Sequence, residues 1–343
     1  MKQIAARRNL WYNKSIFVKG GLVFMSKYKV ASFFAGVGGI DLGFEQTNKC
    51  TTIYANEFDE YPVKTFESNF NIKVDCRDIK EVKEEEVPTH DIMIGGFPCQ
   101  AFSIAGYRQG FDDEKGRGAL FFELVRMMKY HKPRVALFEN VKNLVGHDNG
   151  NTFRVICSEL DKLGYKYIYQ VLNGCDFGNV PQNRERIYII CFREPKDYAN
   201  FKMILPITLT KTVDDVIDFD AIVDDKYYYS NKHPHWEEIK SGITKEKTIY
   251  QWRRKYVREN KSDVVPCLTR NMGGGGDNVP LILTSDKRIR KLTPRECFNV
   301  QGFPQDFILP ELSNTRLYQQ AGNSVVVPVI HRLAEEIIKA LEG

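Results

Sequence analysis

The feature that most constrains the fold is an alternation of short apolar segments with amphipathic, helix-like segments across residues 29–192. Four of the apolar segments have the length of a buried strand and begin at Val30, Thr51, Asp91 and Val135. Strands that alternate with helices predict an open, mostly parallel α/β sheet with helices on both faces. Two β-branched segments, at 165–172 and 186–192, add a predicted strand pair.

The alternation ends near residue 193, which predicts a change of domain. Residues 195–288 are loop-rich and contain four consecutive glycines from Gly273, so they predict a second, smaller domain. Thr293 is followed by proline and, three residues on, by glutamate, a pattern typical of a capped helix start. A last helix is predicted over 324–341 and is expected to return to the first domain. The chain is thereby divided into four parts, 1–28, 29–193, 194–288 and 289–343.

Composition excludes several classes of protein. Hydrophobic residues make up 43% of the 343 residues, yet no apolar run approaches the roughly 18 residues of a membrane span. The eight cysteines are scattered without a C-x-x-C pair, which predicts reduced thiols of a cytoplasmic protein and neither a disulfide framework nor a zinc site. The net charge of +5 equals the charge of residues 1–24, which carry five bases and no acid. We expect this extension to be dispensable, with Met25 as an alternative start.

A glycine-rich turn follows the first predicted strand. Gly36, Gly38 and Gly39 allow the backbone to turn sharply and to approach a ligand closely. Asp41 stands where the dinucleotide pattern G-x-G-x-x-G requires its last glycine, so a nucleoside without a pyrophosphate fits better. Glu57, about 20 residues further on, is placed to accept hydrogen bonds from ribose hydroxyls. Asp78, which is expected to follow another short strand, is a candidate acceptor for an adenine amino group.

A cysteine follows the third clear strand. Cys99 lies between the strand that ends in Gly95-Gly96 and a polar loop of about 20 residues, a setting typical of function rather than of a buried thiol. Glu139 ends the next strand and should lie at the same sheet edge. A thiol beside a carboxyl group predicts covalent attack with acid assistance. The alternative is that Asn140 caps a helix and that Glu139 is only solvated.

Together these motifs resemble the DNA carbon-5 cytosine methyltransferases of bacterial restriction-modification systems. The resemblance extends over residues 29–341 and depends on an ordered set of motifs. They are Phe34-Ala-Gly-Val-Gly-Gly, Glu57, Asp78, Gly96-Phe-Pro-Cys-Gln, Gly118-Ala-Leu-Phe-Phe, Glu139-Asn-Val, Gln182-Asn-Arg-Glu-Arg, Arg290-Lys-Leu-Thr-Pro-Arg-Glu-Cys and Gln320-Ala-Gly-Asn-Ser-Val.

The resemblance implies a Rossmann-like S-adenosylmethionine-dependent methyltransferase sheet at 29–193, completed by 289–343, and a target-recognition domain at 194–288. It implies transfer of a methyl group to carbon 5 of a cytosine flipped out of duplex DNA, through a covalent adduct with Cys99. It also implies that the protein acts as a monomer on DNA, beside a separate restriction endonuclease. By resemblance, the catalytic residues are Cys99, Glu139, Arg184 and Arg186, with Arg184 supporting the base or the carboxylate.

The resemblance also implies two sets of binding residues. The cofactor residues are Phe34, Gly36, Val37, Gly38, Gly39, Glu57, Asp78, Ile79, Pro98, Leu120, Asn323 and Ser324. The expected DNA-contacting residues are Gln100, Ser103, Arg108, Arg117, Arg253, Arg254, Arg270 and Asn271.

A basic stretch lies within the variable region. Residues 240–270 hold nine bases against three acids, interleaved with Tyr250, Trp252 and Tyr256. A solvated basic face would show the same charges, but the location favours contact with DNA phosphates and guanine edges.

Three other functions compete with this interpretation. An RNA-methylating branch of the same family carries Cys-Phe-Thr where this chain has Cys297-Phe298-Asn299, which disfavours an RNA substrate. A catalytically silent DNA-binding regulator is disfavoured by the intact Cys99 and Glu139. A dinucleotide oxidoreductase is disfavoured by Asp41 and by the Pro98-Cys99 loop.

Overall fold

The computed structural model describes residues 27–98, 119–253, 255–274 and 278–343. The main sheet is built from β1 (Tyr28–Phe33), β2 (Cys50–Asn56), β3 (Ile92–Gly96), β4 (Val135–Val141), β5 (Lys166–Asn173) and β6 (Glu185–Phe192). Its strand order is β2-β1-β3-β4-β6-β5. The first four strands are mutually parallel, whereas β6 is antiparallel to both β4 and β5. The predicted mostly parallel sheet and its terminal strand pair are therefore confirmed.

Helices cover both faces of this sheet, as predicted. They are α1 (Gly39–Glu45), α2 (Glu60–Asn69), α3 (Ala119–His131), α4 (Asn151–Lys162), α5 (Gly174–Phe177), α6 (Pro195–Asn200), α7 (Trp236–Gly242), α8 (Pro294–Asn299), α9 (Asn314–Asn323) and α10 (Val327–Glu342). Successive residues of a strand point into opposite cores. Ile94 and Leu137 pack with α1 and α10, whereas their neighbours Met93 and Phe138 pack with α3 and α4. Within the described part of the chain no helix is long and apolar enough to cross a membrane.

The C-terminal helix α10 packs closely against α1. A Cβ on Gly43 would lie 2.5 Å from a methyl of Ile330, so only glycine permits this approach. The helix begins at Val327 rather than at the predicted residue 324, because Pro328 occupies its first turn and Ser324 caps the end of α9. The predicted start of α8 is confirmed, since Thr293 and Glu296 form a capping box.

A small second sheet lies in the region predicted only as loop-rich. Its strands are β7 (Tyr250–Trp252), β8 (Val257–Glu259), β9 (Leu281–Leu283) and β10 (Ile289–Lys291), in the antiparallel order β10-β9-β7-β8. Tyr250 and Trp252 are buried against Ile239 of α7. These two aromatic residues therefore belong to a core, whereas Tyr256 is exposed. Strands of three residues are too short to show a period of two in the sequence.

Asp41, which breaks the dinucleotide pattern, is a core residue. It is fully buried, and its two carboxylate oxygens accept hydrogen bonds from Ser32 Oγ (3.0 Å) and Thr52 Oγ1 (3.1 Å). Asp41 therefore ties α1 to β1 and β2 and is turned away from the ligand edge. Burial raises the pKa of Asp41 to about 7.

This pKa gives the first prediction. The folded state retains the Asp41 proton up to about pH 7, whereas the unfolded chain loses it near pH 4. The free energy of unfolding should therefore fall as pH rises from about 4 to about 7, by at most about 4 kcal/mol from this group. Urea unfolding across that range should show the decline in the wild type, and the decline should be much smaller in Asp41→Asn. Asp161→Asn, at an exposed position of α4, is the matched control. Equal pH profiles for wild type and Asp41→Asn would contradict the prediction.

Candidate active site

A cavity of about 460 Å³ lies at the carboxyl ends of β1, β2, β3 and β4. Ligands of open α/β sheets bind at this edge. Among its lining residues are eleven of the twelve cofactor residues expected from sequence: Phe34, Gly36, Val37, Gly39, Glu57, Asp78, Ile79, Pro98, Leu120, Asn323 and Ser324. Gly38 does not line it, because Gly38 faces the rings of Phe66 and Phe70.

The same cavity brings together other predicted residues. Glu139, Arg184, Arg186 and Arg270 also line it. Arg253 and Asn271 are exposed and are not part of its lining. Six predicted residues, Cys99, Gln100, Ser103, Arg108, Arg117 and Arg254, lie outside the described residues.

The glycine turn is held in place by Glu57. Phe34, Gly36 and Gly38 all have positive φ, which makes the chain turn sharply after β1. One oxygen of Glu57 accepts from the Gly36 amide and the other from the Asp59 amide, each at 3.0 Å. Burial raises the pKa of Glu57. The carboxylate thus fixes the turn and still faces the cavity.

Asp78 lines the cavity, but the segment before it does not form the expected strand. The predicted strand before it is reduced to a single bridge between Asn56 and Asp75. Asn56 Nδ2 holds the segment by donating to the carbonyls of Asp75 and Arg77, both at 2.9 Å. Asp78 follows at once, exposed, with its carboxylate accepting from the Lys80 amide (3.0 Å).

Glu139 is positioned by the register of β4 against β3. It lies opposite Gly96, and a Cβ on Gly96 would be only 3.3 Å from Glu139 Oε2. Arg186 Nε lies 3.0 Å from the other carboxylate oxygen. Burial raises the pKa of Glu139, and the positive charges of Arg186 and Arg184 offset part of that rise. The group is therefore a largely buried acid that holds its proton more readily than an exposed glutamate.

The side chain of Asn140 joins β4 to the segment that leads to Cys99. Its Nδ2 donates to the Phe97 carbonyl at 2.9 Å, and its Oδ1 accepts from the Val141 amide at 2.8 Å. Asn140 is buried and lies within β4, so the alternative that it caps a helix is wrong. The sequence signal for a role of Asn140 was its position directly after Glu139.

Arg184 binds backbone carbonyls rather than the Glu139 carboxylate. Its guanidinium donates to the carbonyls of Leu268 (2.8 Å), Gly322 (2.9 Å) and Ser324. Burial lowers the pKa of Arg184 to about 10, so it stays protonated at neutral pH. The expected support of the carboxylate comes instead from Arg186. Arg184 ties the segment before Arg270 to the cavity wall formed by 322–324.

The same junction depends on a glycine. A Cβ on Gly322 would lie 2.2 Å from the backbone carbonyl of Thr269 and 2.5 Å from the Arg270 amide. Backbone atoms cannot move aside as a flexible side chain can.

Gly322→Ala is therefore expected to lower the free energy of unfolding by about 1–3 kcal/mol, as overpacking does. Gly146→Ala is the control, since nothing lies within 4 Å of its added Cβ and its φ is −91°. Chemical denaturation of both variants measures the effect. Wild-type stability in Gly322→Ala would show that the two backbones are not in this contact.

Sequence reasoning missed other residues at this edge. Phe58 is 69% exposed although it is aromatic, and it lines the cavity directly after Glu57. Arg316 stacks on Tyr61 at 4.0 Å, and Gln320 lines the cavity from α9. Adjacency to Glu57 was the available signal for Phe58, and the motif that contains Asn323 and Ser324 was the signal for Gln320, whereas no sequence signal marks Arg316.

Comparison with known proteins identifies this arrangement. The profile of the family described as C-5 cytosine-specific DNA methylase matches residues 28–339. The chain belongs to this family. The DNA (cytosine-5) methyltransferase activity and the fold expected from the motifs are thereby confirmed.

Individual relatives agree with the family assignment. The chain is 58% identical to the Type II methyltransferase M.Bsp6I of Bacillus sp. (strain RFL6) over 314 residues, which are 91% of this chain and 99% of that protein. It is 37% identical to the Type II methyltransferase M.HhaI of Haemophilus parahaemolyticus, over 90% of this chain and 93% of that protein.

Solved structures show the same fold. The Entamoeba histolytica methyltransferase EhMeth has a TM-score of 0.71 at 20% identity, covering 93% of this chain and 100% of that one. A mutant of Spodoptera frugiperda DNMT2 has a TM-score of 0.70 at 18% identity, covering 91% and 99%.

Proposed function

We propose that this methyltransferase modifies carbon 5 of a cytosine flipped out of a specific duplex DNA sequence, through a covalent adduct with Cys99, and that it protects host DNA beside a separate restriction endonuclease. The observation that carries the proposal is one cavity that contains both the glycine turn with Glu57 and the buried Glu139–Arg186 pair. The residues proposed to hold a nucleoside and the proposed acid thus line one space. Pro98, the residue before Cys99, lines it as well.

The residues fit S-adenosylmethionine as the methyl donor. Glu57 and Asp78 supply acceptors for ribose hydroxyls and an adenine amino group. Ser324 Oγ is buried in the cavity wall and has no hydrogen-bond partner among the described residues, and a Cβ on Gly39 would lie 2.7 Å from it. Such an orphaned polar atom is satisfied by a polar ligand. When bound, S-adenosylmethionine supplies an electrophilic methyl group.

Residues of the chain would activate the cytosine. Carbon 5 of cytosine is a weak nucleophile, and addition of the Cys99 thiolate to carbon 6 moves electron density onto it. Glu139 would donate a proton to the ring nitrogen beside the exocyclic amine, and Arg186 would hold the Glu139 carboxylate in place. After methylation, loss of the carbon-5 proton supplies the electron pair that expels the thiolate, and the ring nitrogen returns its proton to Glu139.

A base that remains stacked in a duplex would not reach an acid as buried as Glu139. Glu139 is largely buried, so the target cytosine must leave the stack to reach it. Unstacking costs a few kcal/mol, which DNA contacts must offset.

A fluorine at carbon 5 tests the adduct. Because fluorine cannot leave as a proton does, the thiolate is not expelled and the complex persists. Duplex DNA that contains 5-fluorocytosine should therefore form a denaturation-resistant complex with wild-type protein and S-adenosylmethionine, and peptide mapping should place the link at Cys99. A link at Cys267, whose thiol lies 3.6 Å from Arg184 Nη1 and 3.8 Å from Arg186 Nη1, would contradict the proposal.

The small domain supplies the proposed DNA contacts. Lys245 pairs with Glu259 at 2.8 Å and Lys247 with Asp214 at 3.5 Å, so part of the basic stretch is neutralised locally. Arg253 is exposed, and within the described part of the chain its guanidinium donates to the neutral Gln251 (3.0 Å) rather than to an acid, which leaves its charge available for a phosphate.

Arg253→Ala is therefore expected to weaken DNA binding and to reduce the slope of log affinity against log salt by about 1, while affinity for S-adenosylhomocysteine is unchanged. Arg254→Ala should behave alike. Fluorescence anisotropy over a range of salt concentrations measures both. Arg154→Ala is the control, because Arg154 lies on helix α4, which packs against the main sheet. Unchanged DNA affinity and salt slope in both variants would remove this patch from the interface.

A further inference from the structure

The sulfur of Cys267 lies against both arginines of the active site. Cys267 belongs to the segment between β8 and β9 of the small sheet, yet its Sγ is 3.6 Å from Arg184 Nη1 and 3.8 Å from Arg186 Nη1. At these distances each guanidinium donates a hydrogen bond to the sulfur, which is a weak acceptor. The small domain therefore reaches the arginines beside Glu139 through a contact that no role described above uses.

Backbone hydrogen bonds fix the segment that carries Cys267 to the main domain. The Val265 amide donates to the Pro181 carbonyl at 2.6 Å. The Leu268 carbonyl accepts from Arg184 Nη1 at 2.8 Å. Cys267 lies between these two anchors in the chain, so the backbone on both sides holds its sulfur at the arginines.

The sulfur lies where two like charges approach each other. Burial lowers the pKa of Arg184, the charge of Arg186 lowers it further, and Cys267 offsets part of this decrease. An acceptor between two guanidinium groups thus reduces their repulsion. Arg184 is also held by three backbone carbonyls and is 2% exposed, whereas the side chain of Arg186 is 14% exposed. Without the sulfur, Arg186 is therefore the group that is free to move.

Arg186 is the group that holds Glu139. Its Nε lies 3.0 Å from Glu139 Oε1, and its Nη1 donates to the Glu185 carbonyl at 2.8 Å. Within the described part of the chain, the titratable groups that interact with Glu139 are Arg184, Arg186 and Tyr188. Burial raises the pKa of Glu139, and the charge of Arg186 opposes that rise more than the charge of Arg184 does. Displacement of Arg186 would therefore raise the pKa of Glu139 further.

We propose that Cys267 is a positioning residue, whose sulfur accepts hydrogen bonds from Arg184 and Arg186 and thereby keeps Arg186 on Glu139. The small domain then supplies both the proposed DNA contacts and a group that orders the acid. The inference rests on the proposed function, in which Glu139 donates a proton to the cytosine ring. Cys267 itself forms no bond to the substrate.

Two substitutions of nearly equal size separate hydrogen bonding from packing. Cys267→Ser keeps an acceptor at this position, whereas Cys267→Ala removes it and differs from serine by one oxygen atom. Infrared difference spectroscopy follows the titration of Glu139 through its protonated carboxyl band, which is identified by its absence in Glu139→Gln. Single-turnover methyl transfer to duplex DNA is measured separately over the same pH range. Cys175→Ala, whose native thiol contacts Asp176 instead, is the control and should match wild type in both measurements.

In Cys267→Ala, Glu139 should titrate at higher pH than in wild type. On the acidic plateau, where Glu139 is protonated in every variant that retains it, methyl transfer by Cys267→Ala should be about 3- to 10-fold slower, as expected for one lost hydrogen bond. Cys267→Ser should retain the wild-type midpoint and a rate within about twofold of wild type.

Equal effects of the serine and alanine substitutions would show that Cys267 only fills space and would overturn the proposal. An unchanged Glu139 midpoint in Cys267→Ala would overturn it as well. A midpoint that is shifted in Cys267→Ala but not in Cys267→Ser, together with no methyl transfer by wild type, would support the positioning of Arg186 and refute the proposed function instead.

Discussion

Cys99→Ser is expected to lower the rate of methyl transfer by about 10⁴-fold or more, with little effect on the affinity for DNA or S-adenosylhomocysteine. A serine hydroxyl is almost un-ionised at neutral pH and is a far weaker nucleophile than a thiolate. Removal of a covalent nucleophile has effects of this order, because the other groups of the site cannot replace it. Single-turnover methyl transfer on duplex DNA measures the chemical step directly.

Cys157→Ser is the matched control for this substitution. Cys157 is half-buried on α4, where it packs in the core on the far side of the sheet from α1. The Cys157→Ser variant should transfer methyl groups at the wild-type rate. Methyl transfer by Cys99→Ser within tenfold of wild type would exclude the covalent mechanism and would require direct attack by the base.

Glu139→Gln is expected to lower kcat/KM by about 10²- to 10⁴-fold, the range of positioned acid–base groups. Glutamine retains the size of the side chain and can still donate a hydrogen bond, but it cannot transfer a proton. Burial raises the pKa of Glu139, so its protonated form persists to higher pH than in an exposed glutamate. Wild-type kcat/KM should therefore fall as pH rises through this raised pKa, and that limb should be missing in Glu139→Gln.

Glu185→Gln separates this effect from a general loss of acidic charge. Glu185 lies on β6, is more exposed, and pairs with Lys142 instead of a group of the cavity. The kcat/KM of the Glu185→Gln variant should remain within about twofold of wild type, as for most surface substitutions. A Glu139→Gln variant with wild-type activity and an unchanged pH profile would remove Glu139 from the chemistry.

Much of the main domain was predictable because its elements are long enough to show a period. Successive residues such as Met93 and Ile94 point into opposite cores, so the strands that contain them are continuous apolar runs. The parallel order then places the ends of β1, β2, β3 and β4 at one edge, which brings Gly36, Glu57 and Glu139 together. For that reason most of the expected cofactor residues line one cavity.

The parts of the fold and of the site that were not predicted depend on contacts between residues that are far apart in sequence. Thr65 meets Gln320 across 255 residues, and Arg184 meets the carbonyls of Leu268 and Ser324 across 84 and 140 residues. No local pattern encodes such pairs. The small sheet escaped prediction because its strands have three residues each, and Tyr250, which the sequence shows only as an aromatic residue within the basic stretch, is a core residue.

The most direct test of the central claim is the identity of the methylated product. Wild-type protein is incubated with mixed-sequence duplex DNA and S-adenosylmethionine labelled in its methyl group, and the DNA is digested to nucleosides. All label should appear in 5-methyl-2′-deoxycytidine. Label in N4-methylcytosine or N6-methyladenine, or no label from protein that binds both S-adenosylhomocysteine and DNA, would contradict the account.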